Sequence, residues 1–133
     1  MAIQLDIVTP ERKLLSAEVE TVRAPGADGS FGVLPGHTPF VANMEPGELI
    51  YTTQGAEHRY FVGGGFVEVS TEKVIVLAES AEPVGEIDVD RAQAALSQAQ
   101  KRLETLRQEE EAAAIERARV KRAAARIRLA GGR

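Results

Sequence analysis

The stretch Ile87–Ala92, IDVDRA, divides the 133-residue sequence into two kinds of pattern. Before it, apolar and polar residues alternate in short runs separated by turn residues, the period-two signature of strands. After it, apolar residues recur at steps of three and four, the signature of helix. The carboxylate of Asp88 can accept from the free backbone amides of the following turn, so the sequence predicts an N-cap at Asp88 and a helix starting beside it. Arg91 falls about one turn further on. By themselves these residues make a helix start, and the remainder of the chain decides whether Asp88 and Arg91 also hold a ligand.

Downstream, Ala92, Ala95, Leu96, Ala99, Leu103 and Leu106 predict the inner face of a first helix. Gln93, Gln98, Lys101, Arg102, Glu104 and Arg107 fill its outer face. A second helix is expected over about 112–129, with Ile115, Ala118, Ala123 and Ile127 inward and Gly131 and Gly132 closing it. Glu109, Glu110 and Glu111 fall at the turn and at the positive end of the second helix dipole. The result is an antiparallel helical hairpin over 85–133 whose seam is rich in alanine. At roughly 25 cal/mol per Å² of apolar surface, such a seam holds weakly.

Upstream, over 1–84, the sequence predicts a β-sandwich. Ile3, Leu5 and Ile7 alternate with Gln4, Asp6 and Val8 before Thr9 and Pro10 end the run. A second extended segment starts at Leu14 and continues through Val22. Further runs cover 30–34, 40–42, 48–53, 56–62, 66–70 and 74–79. Gln54 and Gly55 read as a tight hairpin turn, and Gly63, Gly64 and Gly65 as a bend or bulge at a sandwich corner. That glycine run is followed by no helix and no Lys and Ser/Thr pair, so it does not read as a phosphate loop.

Composition narrows the function. There is no cysteine, hence no disulfide framework and no thiolate chemistry. The N-terminal residues lack a basic start with a long apolar run, and no stretch of about 18 apolar residues occurs, so a soluble chain without a secretory signal or membrane insertion is expected. His37, in LPGHTPF, has no second histidine or carboxylate at ligand spacing and reads as a turn residue rather than a metal ligand; His58 reads as a surface strand residue. No serine, histidine and acid set and no close carboxylate pair suggests catalysis. Charge is uneven: residues through Val84 carry 12 acids and 5 bases, whereas the remainder carries 8 acids and 11 bases. Arg117, Arg119, Lys121, Arg122, Arg126, Arg128 and Arg133 follow Glu116 with no further acid, which favours an acidic partner for the far end of the arm. A basic arm on a small β-sandwich is also compatible with a nucleic-acid-binding module. Aromatics for stacking are few at 5%, and Glu116 and Glu109–Glu111 interrupt the basic face, so nucleic acid is not the expected partner.

Three stretches together, GADGSFGVLPGHTPFVANMEPGELI (26–50), FVGGGFVEVSTEKVIVLAESA (61–81) and IDVDRAQAALSQAQKRLE (87–104), resemble the epsilon subunit of the F-type ATP synthase. The resemblance runs in order over essentially the whole chain. It implies a non-catalytic rotor subunit, peripheral on the cytoplasmic face of the bacterial plasma membrane, that needs no cofactor. Its β-sandwich would bind the gamma subunit and the membrane rotor c-ring, with Gly36, His37 and Thr38 as contact surface. Its hairpin would either fold up or extend toward the catalytic beta and alpha subunits and inhibit hydrolysis there, Arg117, Arg119, Lys121 and Arg128 meeting an acidic surface. In some bacterial members ATP is a regulatory ligand of the folded hairpin. That site is implied here at Ile87, Asp88, Arg91 and Ala92, with Arg122 and Arg126 from KRAAAR and with Glu82 assisting. Gln98 and Ile115 depart from the pattern, standing where some binders carry arginine.

Overall fold

The computed structural model describes residues 2–131 and divides into two compact units between Pro83 and Val84. The first contains eight strands: β1 (Ile3–Val8), β2 (Lys13–Val19), β3 (Thr21–Ala24), β4 (Phe31–Val33), β5 (Phe40–Thr53), β6 (Ala56–Val69), β7 (Lys73–Ala78) and β8 (Ala81–Pro83). The strand order is β2-β1-β7-β6-β5-β3-β4, with β8 paired separately to β6. All pairs are antiparallel except β1 with β7. The two layers of the sandwich are therefore parts of one hydrogen-bonded sheet.

That folding-over is carried by β5 and β6. Their register is constant from Phe40 opposite Val69 to Thr53 opposite Ala56, and only the Glu45–Gly64 position drops out. Gln54 and Gly55 close the ladder with φ of 52° and 78°, the positive values that match the twist of a two-residue hairpin. On one side of the corner β6 pairs β7 through Gly65–Val69, and on the other it pairs β8 through Tyr60–Val62. The sequence expects separate short runs here. The structure corrects this to two 14-residue strands passing through both layers, and the glycines lie inside β6 rather than between strands. Pro46, which has no amide to donate, faces Gly63 at the bend. The expected second segment is corrected as well: it breaks at Glu20, so that β2 pairs β1 while β3 pairs β4 and β5. The Glu20 amide donates to the Thr52 carbonyl at 2.7 Å and ties the two parts together.

Alternation along each strand puts Ile3, Leu5, Ile7, Val67, Val69, Val74 and Val76 into the core with Val22, Val33, Leu49 and Tyr51. These β-branched and leucine side chains are almost wholly buried.

The second unit begins with a 3-10 turn (Val84–Glu86), followed by α1 (Val89–Glu104) and α2 (Glu111–Gly131). Asp88 caps α1, its Oδ1 accepting from the Arg91 amide at 3.1 Å. Thr105 closes that helix, its hydroxyl donating to the Arg102 carbonyl at 2.9 Å. The expected inner faces need two corrections. Ala95 is exposed, and the α1 seam runs through Ala92, Leu96, Ala99 and Leu103; Ile115 is 54% exposed, and the α2 seam runs through Ala113, Glu116 and Ala123. Alanines give no directional signal of their own, and the rotation of α2 is set by where Ala113 and Ala123 allow α1 to approach. The expected closure at Gly132 lies outside the described residues.

The corner supplies a sharp stability test. Gly65 adopts φ +132°, and a Cβ there would lie 2.1 Å from the Leu77 carbonyl oxygen. Gly65→Ala is expected to lower the free energy of unfolding by about 3 kcal/mol or more, read from the denaturant midpoint of the sandwich transition.

Candidate functional site

Two surfaces carry chemistry, one in each unit. In the first, the outer face of the sheet presents apolar side chains in register. Val8, Leu77, Phe66 and Asn43 form one row across β1, β7, β6 and β5, and Asp6, Ile75, Glu68 and Val41 form the next. Val41, Phe66 and Leu77 are 66%, 54% and 49% exposed, a contiguous apolar strip on a unit whose own core is already filled. Where the strip meets the end of the sheet, Pro39, Phe40, Val41, Glu68, Lys73 and Ile75 line a shallow groove.

Beside that strip Asp6 is only 6% exposed, although it points to the outer face. It lies just under the surface, roofed by its neighbours. It accepts from the Ser16 hydroxyl at 2.8 Å and the Gln4 amide at 3.2 Å, and Lys13 and Lys73 each stand 3.6 Å from its other oxygen. The Ser16 hydrogen bond above all, then that of Gln4, holds its carboxyl below the ordinary value near 3.8; burial opposes them, and the two lysines add smaller contributions.

The turn before β5 holds Gly36, His37 and Thr38. The Gly36 amide donates to the Thr71 carbonyl at 3.3 Å and the His37 amide to the Leu34 carbonyl at 3.2 Å, fixing this turn to the β6–β7 turn at the same end of the unit. His37 packs edge-on against Phe40 with ring centroids 5.3 Å apart, and Phe40 packs the same way on Phe31. The histidine is thus a turn anchor, while Gly36 and Thr38 are exposed. His58 is exposed and stacks on Tyr51 at 4.9 Å, where burial and the neighbouring Tyr60 raise the Tyr51 phenol above its ordinary value near 10.

In the second unit, Arg102 Nη1 lies 3.8 Å from Glu116 Oε1, which shows where the two antiparallel helices stand level. Each step from Arg102 back toward IDVDRA matches one step along α2 toward its C-terminal end. Arg126 therefore stands about level with Arg91 and Ala92, and Arg122 about one turn away. Arg91 is exposed, Arg122 and Arg126 are half-buried, and Ala92 is 4% exposed within the seam, where its small size permits the approach. Ile87 is half-buried and Asp88 exposed. Glu82 lies in β8 of the first unit, opposite Phe61. Of the other basic residues, Arg117 donates to the Gln108 carbonyl at 3.3 Å, Arg119 pairs with Glu116 at 2.7 Å, and Lys121 and Arg128 are exposed on α2. Sequence reasoning missed Asp6 and Glu116 because an isolated carboxylate ordinarily signals a solvated surface.

The match to known proteins follows the same order of elements. The family model described as "ATP synthase, Delta/Epsilon chain, beta-sandwich domain" matches residues 2–84. An ATP synthase epsilon chain of Anaeromyxobacter dehalogenans is 55% identical over 131 residues, covering 98% of this chain and 99% of the relative. The chain belongs to the ATP synthase epsilon family. An epsilon chain of Myxococcus xanthus is 47% identical over 125 residues, 94% of this chain and 92% of its own. Among solved structures, a chain of the Euglena gracilis mitochondrial ATP synthase, in an assembly of OSCP, F1 and c-ring, superposes with a TM-score of 0.76 at 26% identity, covering 93% of this chain and 78% of that one. A chain of the Tetrahymena thermophila mitochondrial ATP synthase central stalk and c-ring shares the fold, with a TM-score of 0.58 at 14% identity over 68% of this chain and 73% of that one. By family, the chain is an epsilon-type, non-catalytic stalk subunit of an F-type ATP synthase. No helix among the described residues is long and apolar enough to cross a membrane, and no cluster of metal-binding side chains occurs among them.

Asp6 gives the epsilon β-sandwich a defined response to acid. Asp6→Asn is expected to cost about 1–3 kcal/mol near neutral pH through loss of charge-assisted hydrogen bonds. The folded-state pKa is depressed, so the carboxylate's contribution is complete above the unfolded value near 3.8 and is lost as pH falls through the folded value. Denaturant unfolding of both proteins should therefore give curves that differ by a constant above about pH 5 and converge in stronger acid.

Proposed function

We propose that this subunit is the foot of the rotating central stalk, coupling proton flow to ATP synthesis without itself performing chemistry. The observation that carries this reading is the apolar strip of Val41, Phe66 and Leu77, which is larger than solitary exposed residues and calls for a protein partner. The gamma subunit is that partner in this reading, and the assembly attaches to the membrane rotor ring through the end of the unit that bears Gly36, His37 and Thr38. The location is then peripheral, on the cytoplasmic face of a bacterial plasma membrane. The Euglena relative, seen with F1 and c-ring, supports this reading.

The hairpin is the regulatory arm. Extended, it offers Arg117, Arg119, Lys121 and Arg128 to an acidic surface of the catalytic beta and alpha subunits and inhibits hydrolysis. Exposed ion pairs contribute about 0.2–1 kcal/mol each, so the extended state gains at most a few kcal/mol. Folded, it binds ATP: guanidiniums of Arg91, Arg122 and Arg126 take phosphate oxygens, and Ile87, Asp88 and Ala92 shape the turn beside them. Millimolar ATP at a micromolar site would stabilise the folded state by about 4 kcal/mol, enough to reverse the balance, whereas a millimolar site would give only about 0.4 kcal/mol.

Two experiments separate these parts. Co-expression with a gamma subunit should yield a complex that Phe66→Glu or Leu77→Glu abolishes; because both side chains are about half exposed, the melting temperature of the free subunit should hardly move. A normal complex with both variants would refute docking through this face. Calorimetry of the free chain at millimolar ATP should show binding that Arg126→Ala weakens about tenfold or more. No heat in the unaltered chain, or equal affinity in the variant, would eliminate the nucleotide site while leaving docking untouched.

A further inference from the structure

We propose that Glu116, held by Arg102 across the seam and Arg119 on its own helix, is a charge latch that sets how readily the hairpin opens. The feature that demands an explanation is a carboxylate only 7% exposed on the inner face of α2. Its Oε2 receives Arg119 Nη1 at 2.7 Å, whereas its Oε1 receives no hydrogen bond among the described residues and has Arg102 Nη1 at 3.8 Å. Both arginines keep about half their side chains in solvent, at 56% and 47% exposure, so the carboxylate alone is desolvated.

Around it the seam offers little apolar compensation, since its most buried members are Ala92, Ala99, Ala113 and Ala123. Taking a carboxylate out of water costs more than an alanine contact returns, and the cost is offset only while opposite charge stands beside it. Arg119 travels with Glu116 on α2 and remains its partner whether the helices are together or apart. Arg102 is on α1, so its attraction exists only in the closed hairpin. The closed state therefore contains a buried charge whose compensation from across the seam rests, among the described residues, on Arg102, and opening rehydrates that charge at once. The effect is to fix the register of two alanine-rich helices that could otherwise slide, and to keep their association reversible. This inference stands on the packing of the hairpin and is independent of the docking and nucleotide readings above.

The test is a double-mutant cycle on the full chain, read by native-state amide hydrogen exchange in α1 and α2, with the sandwich amides as internal reference. Arg102→Ala leaves the buried carboxylate without its cross-seam partner and is expected to speed exchange throughout both helices about tenfold. Glu116→Leu replaces the charge by an apolar side chain of similar size and is expected to leave exchange unchanged or slower. In the Glu116→Leu background, Arg102→Ala should then have almost no effect. If Arg102→Ala speeds exchange equally in both backgrounds, or in neither, the latch is refuted.

Discussion

The long ladder between β5 and β6 is the constraint on which the first unit depends. It runs in one register from the Gln54–Gly55 turn to Phe40 and Val69, and every other strand attaches to it directly or through one or two intervening strands. Because side chains alternate along a strand, one fixed register decides for the whole unit which residues are inside. The same ladder must bend for the sheet to fold over its own core. Pro46 facing Gly63, together with Gly64 and Gly65 at positive φ, supplies the bend, and the Leu77 carbonyl closes so tightly on Gly65 that no side chain fits.

That constraint explains the pairing of a filled core with an apolar outer strip. Residues inside the fold are committed by the alternation, so Phe66 and Leu77, one position out of step with Val67 and Val76, cannot reach the core however apolar they are. An apolar residue at an outward position contributes less to folding than a core one and invites association. Asp6, in the row of Ile75 and Val41, places a fixed charge beside the strip, and Lys13 and Lys73 surround it. A partner meeting this face encounters apolar contact bordered by ordered charge, which favours one orientation over others.

Much of this was legible in the sequence, for identifiable reasons. Asp88 as a cap, the Gln54–Gly55 turn and the glycine corner are local devices whose backbone requirements act within a few residues. The start of α1 beside Asp88 was legible because the apolar period changes there. The continuity of β5 and β6 was not, since Pro46 and the glycines punctuate a sequence yet here bend strands instead of ending them. The helix faces were legible where leucine marks them and ambiguous where alanine does. Ala95 fits the period and faces solvent, while Ile115 is apolar and 54% exposed because Glu116, one residue on, takes the seam. For the second unit, the IDVDRA and KRAAAR motifs gave residue identities, and an antiparallel hairpin can bring Arg122 and Arg126 back beside Arg91; the Arg102–Glu116 contact adds which residues stand level.

The two units are stabilised in different ways, and the difference bears on the proposed regulatory arm. The sandwich rests on large β-branched, leucine and aromatic side chains locked by a sheet, so losing a central strand such as β1, β6 or β7 would expose much apolar surface. The hairpin rests mainly on alanine contacts, with half-buried Leu96 and Leu103 and a few charged groups, so most of its contributions are of the order of a single ion pair or hydrogen bond. A ligand or partner that supplies a few kcal/mol can move the second kind of structure and leave the first unchanged. An alanine-rich seam would leave a conformational response within reach of one unit alone, as the proposed regulatory arm requires, whereas a larger apolar seam would place an open state beyond the reach of any single binding event.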